Sequence, residues 1–213
     1  MMKKKIALML TTVMSLSLIF GTTASASTGE ESPQKQLVAQ QVQVDSVPTP
    51  VIIDADMSTD TDDLVAVRIC QQYANEGLIT LDGLLLSAEN DKHEGASAAC
   101  GILDAYGFPN TIVGTSTSPN IETNLPYWGW LSSQKKTAHS TDTAVRQYRR
   151  LLANNQGKKY GILIIGYYDN IYNLMKSGPD DISPETGIQL IAEHVAFFDV
   201  CGAGKGNQGD AKQ

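Results

Sequence analysis

The feature that most constrains the fold of this chain is a series of short apolar runs alternating with helix-patterned stretches. Val51-Ile52-Ile53-Asp54 is apolar until it ends in an acid, and Leu81–Leu86, Thr111–Val113, Tyr160–Ile165 and Ala196–Cys201 are similar. Runs of this kind predict strands of a parallel sheet covered on both faces. Between them, Asp62–Glu76 places Ala66, Ile69, Cys70 and Tyr73 on one helical stripe, and His93–Tyr106 does the same with Ala96, Ala99, Cys100 and Leu103 before a stop at Gly107. Thr143–Ala153 carries Val145, Tyr148, Leu151 and Leu152, with Arg146, Arg149 and Arg150 assigned to its wet face. Ser183-Pro184-Glu185 reads as the opening of another helix, with a cap, a proline and an acid in the first turn. The expected class is α/β, with a Rossmann-like, mostly parallel sheet and helices on both faces. Pro119–His139, with Tyr127, Trp128 and Trp130, breaks the rhythm and reads as a loop over the strand ends.

Chemistry concentrates in Asp54-Ala55-Asp56-Met57-Ser58-Thr59-Asp60-Thr61-Asp62-Asp63. In an open α/β sheet, ligands bind beyond the carboxyl ends of the strands, and this segment follows the first strand. Asp54 and Asp56 have strand spacing and are expected on one side. Asp60, Asp62 and Asp63 could serve as helix caps and dipole partners. Capping leaves Asp54 and Asp56 unexplained, because carboxylates converging on one point repel one another unless a cation lies among them. The donors are all oxygen, which selects a hard ion: Ca²⁺, with Mg²⁺ the lesser choice. An EF-hand does not fit, since counting from Asp54 puts Thr59 and Val65 where Gly and Glu are required.

An apolar strand running into Asp-x-Asp, then an Asp-Asp pair opening an aliphatic helix, resembles the N-terminal signature of the inosine-uridine nucleoside hydrolases, secreted bacterial members above all. Leu84-Leu85-Leu86-Ser87-Ala88-Glu89-Asn90 resembles the family's second strand and its following Asn. Ile162-Leu163-Ile164-Ile165-Gly166-Tyr167-Tyr168-Asp169-Asn170 resembles the strand leading into a Gly-Pro-Leu-Thr-Asn turn, with Tyr167, Tyr168 and Asp169 as departures. Ser177-Gly178-Pro179-Asp180 and Ser183-Pro184 match the next connection. The resemblance implies hydrolysis of the N-glycosidic bond of a ribonucleoside by a calcium-bound water. It implies Asp56 as ligand and general base, Asp63 as second carboxylate ligand, and the carbonyl of Ile165 as a further ligand. Asp62 and Asn90 would be ribose contacts, and Asp54 would support the ligands from behind. The likeness runs from about Pro50 to Gly202. The family's late Asp ligand and His have no counterpart here, so the sequence is expected to give an incomplete version of that domain, with poor or absent hydrolysis by this chain alone.

Two other readings compete. A non-catalytic, calcium-dependent sugar- or nucleoside-binding module would keep the pocket without turnover. Asp54-x-Asp56 also resembles the Asp-x-Asp motif of haloacid dehalogenase-type phosphatases, with Asp54 as nucleophile, Asp56 as acid/base and Mg²⁺ as cofactor. That pattern does not account for Asp62-Asp63. Gly204-Lys205-Gly206-Asn207-Gln208-Gly209 is a formal GxGxxG, but the helix and acid a dinucleotide site needs do not follow it.

Composition narrows the partners. With 16 Lys and Arg against 23 Asp and Glu the formal charge is -7, which disfavours nucleic acid and suits cations. The three cysteines, Cys70, Cys100 and Cys201, are scattered and exclude both a disulfide scaffold and a CxxC zinc site. Residues 1–26 have a basic start, the uncharged stretch Ile6–Phe20 and Ala24-Ser25-Ala26, the pattern of a secretory signal peptide. The expected product is a secreted protein with no membrane segment after cleavage, able to form a homo-oligomer. Residues 27–50 read as a flexible tether, with room for a short strand at Leu37–Val44, and 51–213 as the hydrolase-like domain.

Overall fold

The structure, a computed structural model, describes residues 47–57, 61–90, 93–117, 126–136, 139–155 and 157–201. The leader, nearly all of the tether, the glycine-rich tail and Ser58-Thr59-Asp60 lie outside these residues. Among the described residues six strands and six helices follow in the order β1 (Thr49–Ala55), α1 (Asp62–Asn75), β2 (Ile79–Leu86), α2 (Glu94–Ala105), β3 (Ile112–Thr115), α3 (Pro126–Ser132), β4 (Thr141–Thr143), α4 (Ala144–Ala153), β5 (Tyr160–Ile164), α5 (Asp169–Lys176), α6 (Gly187–His194) and β6 (Val195–Val200). The strands form one all-parallel sheet in the order β4-β3-β2-β1-β5-β6. The chain builds outward from β1 through β4, then returns to the other side of β1 as β5. The switch point between β1 and β5 is where such sheets open a crevice at their carboxyl ends.

Strand alternation divides the core. Val51, Ile53 and Ala55 of β1, with Leu84 and Leu86, pack against Val67 and Cys70 of α1, most of α2, and Trp128 and Leu131 of α3. Ile52, Leu85, Ile162 and Ile164 face the other way, onto Tyr148, Leu151 and Leu152 of α4, Ile171 and Leu174 of α5 and Leu190 of α6. This is the expected α/β class with both faces of the central strands covered.

Several elements depart from the expectation. The stretch expected to be a loop at Pro119–His139 contains α3, which lies on α2 so closely that a Cβ at Gly101 would collide with the Leu131 carbonyl. The turn after β5 leads directly into a helix, α5, from Asp169. The last helix is capped by Thr186, whose side chain forms a capping box with Gln189, and not by Ser183. Ser183 and Glu185 instead turn their carbonyls toward the Arg149 guanidinium, at 3.0 and 2.9 Å, so the chain there is held away from helical geometry. Arg149 is therefore buried and not on a wet face, with Asp180 paired to it at 2.9 Å.

On α1 the buried face is Asp63, Val67, Cys70 and Gln71, while Ile69 and Tyr73 are about half exposed. Polar anchors set this rotation: the Asp63 carboxyl accepts from the Met57 amide, and the Gln71 amide donates to the Ile102 carbonyl. β6 differs from the other strands in being open on both faces, with Phe197 47% and Phe198 40% exposed. Among the described residues no helix is long and apolar enough to cross a membrane.

Candidate functional site

Three strand ends meet at the switch point. The Ser87 amide donates to the Ala55 carbonyl at 2.9 Å, joining the end of β2 to β1. The Ile165 amide donates to the Asp54 carbonyl at 2.8 Å, joining the end of β5 to β1. The Tyr167 amide donates to Ser87 Oγ at 2.9 Å and closes the ring. Gly166 is required here, because a Cβ would overlap the Asp56 amide and Ser87 Oγ. Ile165 thus lies one step past the β1–β5 pair that leads to Asp56.

Asp54 is fully buried on the α4/α5 side of β1. Its carboxyl accepts from the Tyr148 hydroxyl at 2.8 Å and from the Asn170 amide at 3.0 Å, and that amide also donates to the Leu86 carbonyl. Burial pushes Asp54 up to about 7; the two hydrogen bonds pull it down, and Asp169 nearby adds to the rise. Asp54 is thus enclosed by its partners. A phosphatase nucleophile must reach a phosphorus atom, which this carboxyl cannot, so the Asp-x-Asp phosphatase reading fails.

Asp56 is the first residue beyond β1 and is partly exposed, unlike the enclosed Asp54. The chain leaves strand geometry after Ala55, and Met57 adopts the left-handed conformation at φ +48°. Asp56 meets Asp63 at the start of α1, their carboxyls within hydrogen-bonding reach of one another. Asp63 is buried and its Oδ2 accepts from the Met57 amide at 2.7 Å. Burial, then the neighbouring Asp56 and Asp62, drive the Asp63 carboxyl well above the carboxylate range. Two acids so placed need a shared proton or a cation. Asp62 is exposed on the first turn of α1, beside this pair.

Asn90 ends the β2 connection. Its side chain accepts from the Glu94 amide at 3.1 Å and donates to Glu94 Oε2 at 2.8 Å, so it helps to open α2. Glu89, to which the sequence analysis gave no role, is the stronger cap: its carboxylate accepts from the amides of Asn90, Gly95 and Ala96 at 2.8–2.9 Å. A cap that reaches forward six and seven residues has no fixed spacing to find it by. His93, at the opening of α2, is exposed and occupies the cap position with φ +56°. His139 instead lies buried between Asp104 and the Thr111 carbonyl. His194 falls with Glu185 and Glu193 on the surface around α6, where Asn155 approaches its Nδ1 at 2.6 Å.

The donor set fits a hard cation. Asp56 and Asp63 already converge, and the end of β5 is joined to β1 through the Ile165 amide just before Asp56. All donors are oxygen, as Ca²⁺ prefers.

No family model matches the sequence, and no curated protein matches it. Among solved structures the chain is similar to the type III effector protein XopQ, crystallised with adenosine diphosphate ribose, with a TM-score of 0.59 and 19% identity over 74% of this chain and 45% of that one. It is also similar to the inosine-uridine preferring nucleoside hydrolase of Bacillus anthracis, with a TM-score of 0.53 and 18% identity over 71% of this chain and 50% of that one. The chain spans about half the length of the structures it matches. The fold is that of the nucleoside hydrolase-like proteins.

Proposed function

We propose that this chain carries the calcium- and pentose-binding corner of a nucleoside hydrolase-like site. The observation that supports the reading most is the meeting of Asp56 with the buried Asp63 at the carboxyl end of β1, where burial and the neighbouring acid raise the Asp63 carboxyl. Asp56, Asp63 and the Ile165 carbonyl would hold the ion, with Asp54 behind them. Calcium held there would supply a lowered pKa and a fixed position for the attacking water.

This chain's residues then have separable tasks. The Asp56 carboxylate takes the water's proton as the oxygen approaches the anomeric carbon. Asp62, exposed beside the acid pair, accepts from a ribose hydroxyl. Asn90 would contribute a second contact once its amide is released from Glu94. The closed ring of hydrogen bonds through Ser87, with its Oγ, Ile165 and Tyr167 fixes the floor on which the sugar rests, so that orientation does not have to be found at each encounter.

A second reading, binding of a ribose-containing ligand without turnover, draws support from the likeness to XopQ, whose structure holds adenosine diphosphate ribose. Both readings place a small ribose-bearing molecule at the switch point of a secreted protein. Calorimetry with calcium and then ribose, run beside an assay for free base released from inosine or uridine, separates them. Binding with weak or no release favours the binding module, and release favours the hydrolase. Absence of calcium binding after chelator treatment would sink both.

A further inference from the structure

Trp128 and Trp130 invite assignment as platforms for a base or sugar ring, but only Trp130 is open, at 64% exposure, while Trp128 is 2% exposed. The buried indole donates from Nε1 to the Met57 carbonyl at 3.0 Å, and the Tyr127 hydroxyl donates to the same oxygen. A carbonyl oxygen has two lone pairs, and α3 occupies both. On its other side, the Met57 amide donates to Asp63 Oδ2 at 2.7 Å. One buried residue in the left-handed conformation, next in sequence to Asp56, is therefore held by the acid of α1 at its nitrogen and by two aromatic donors at its oxygen. α3 is itself fixed: Trp128 lies against Gly95 and the Leu131 backbone against Gly101, both glycines of α2.

We propose that Tyr127 and Trp128 are positioning residues for the cation site. By clamping the Met57 carbonyl they hold the left-handed turn that keeps the Asp56 carboxylate opposite that of Asp63. The inference rests on the reading of that acid pair as the calcium site. A methionine leaves the left-handed region readily when nothing holds it there. Without the clamp, the two carboxylates separate and the ion loses a preformed seat.

Tyr127→Phe and Trp128→Phe keep an aromatic ring and delete one donor each, and the chain has only two tryptophans. In a Trp130→Phe background, calcium added to the full chain is expected to alter the emission of Trp128. By calorimetry, each donor deletion is expected to weaken calcium binding about five- to tenfold, the worth of one hydrogen bond. The rise in melting temperature caused by calcium should shrink, while the melting temperature without calcium changes little. If the Phe variants bind calcium as tightly as the parent, or lose melting temperature equally with and without calcium, the rings are plain packing and the inference falls while the calcium site stands. If the parent binds no calcium, the site reading falls and takes the inference with it. Should Trp128→Phe not fold, Tyr127→Phe, which removes a single hydroxyl, decides the question.

Discussion

Asp56 and Asp63 are held together by structure against their own charge, and that tension can be measured. Asp63→Asn keeps an acceptor for the Met57 amide and gains a donor for Asp56. Calcium affinity is expected to drop at least about 100-fold, while the calcium-free protein becomes more stable, on the order of 1 kcal/mol at pH 8. Calorimetry and thermal melting check the two halves. The raised carboxyl of Asp54 sets a pH dependence. The folded state holds its proton up to about 7, against 3.8 ordinarily, so this contribution is full below about pH 4 and is lost as pH climbs through 7. The upward shift of Asp63 has the same sign. Calcium-free protein should therefore melt at a higher temperature at pH 5 than at pH 8. Saturating calcium should narrow that gap, because the ion stabilises the ionised form of Asp63. The acids themselves were legible from their crowding after an apolar strand. Tyr148 and Asn170, which enclose Asp54, were not assigned that role, because the hydrogen bonds joining them to Asp54 span 94 and 116 residues.

At the scale of elements, hydrophobic period located helices well but fixed their rotation less well. The stripe read on α2 is buried as expected, since α2 is walled in by the sheet and α3. Of the stripe read on α1 Cys70 is buried but Ile69 and Tyr73 are turned outward, because Asp63 and Gln71 anchor that helix by polar contacts that no apolar count includes. Arg149 makes the same point on α4. Its guanidinium bridges Asp180, Ser177 Oγ and the carbonyls of Ser183 and Glu185, pinning the 177–186 connection. Arg149→Ala would leave those groups facing an empty space. It is expected to cost about 3 kcal/mol in urea unfolding, against less than about 1 for Arg146→Ala, whose ion pairs with Asp142 and Asp181 lie at the surface. Gly101→Ala should dislodge α3 from α2, and with it Trp128. Loss of the blue-shifted emission of a buried indole would report it.

Over the whole molecule, the alternation of runs was enough to give the class and the central strands. It did not reveal that β6, an apolar run like the others, lies open at the edge. An edge strand left uncovered among the described residues, with two exposed phenylalanines, invites pairing with another chain. Sedimentation at rising concentration should show self-association that Phe198→Lys suppresses. The central place of β1 has a further, temporal consequence. Its two neighbours in the sheet come from widely separated parts of the chain, and the hydrogen bond from Asn170 to Asp54 spans 116 residues. Such long closures are completed late. The proposed cation seat can then be finished only after most of the chain has been threaded into place. Stopped-flow measurements should accordingly find the rate of refolding indifferent to calcium, with the whole benefit of the ion appearing as slower escape from the native state.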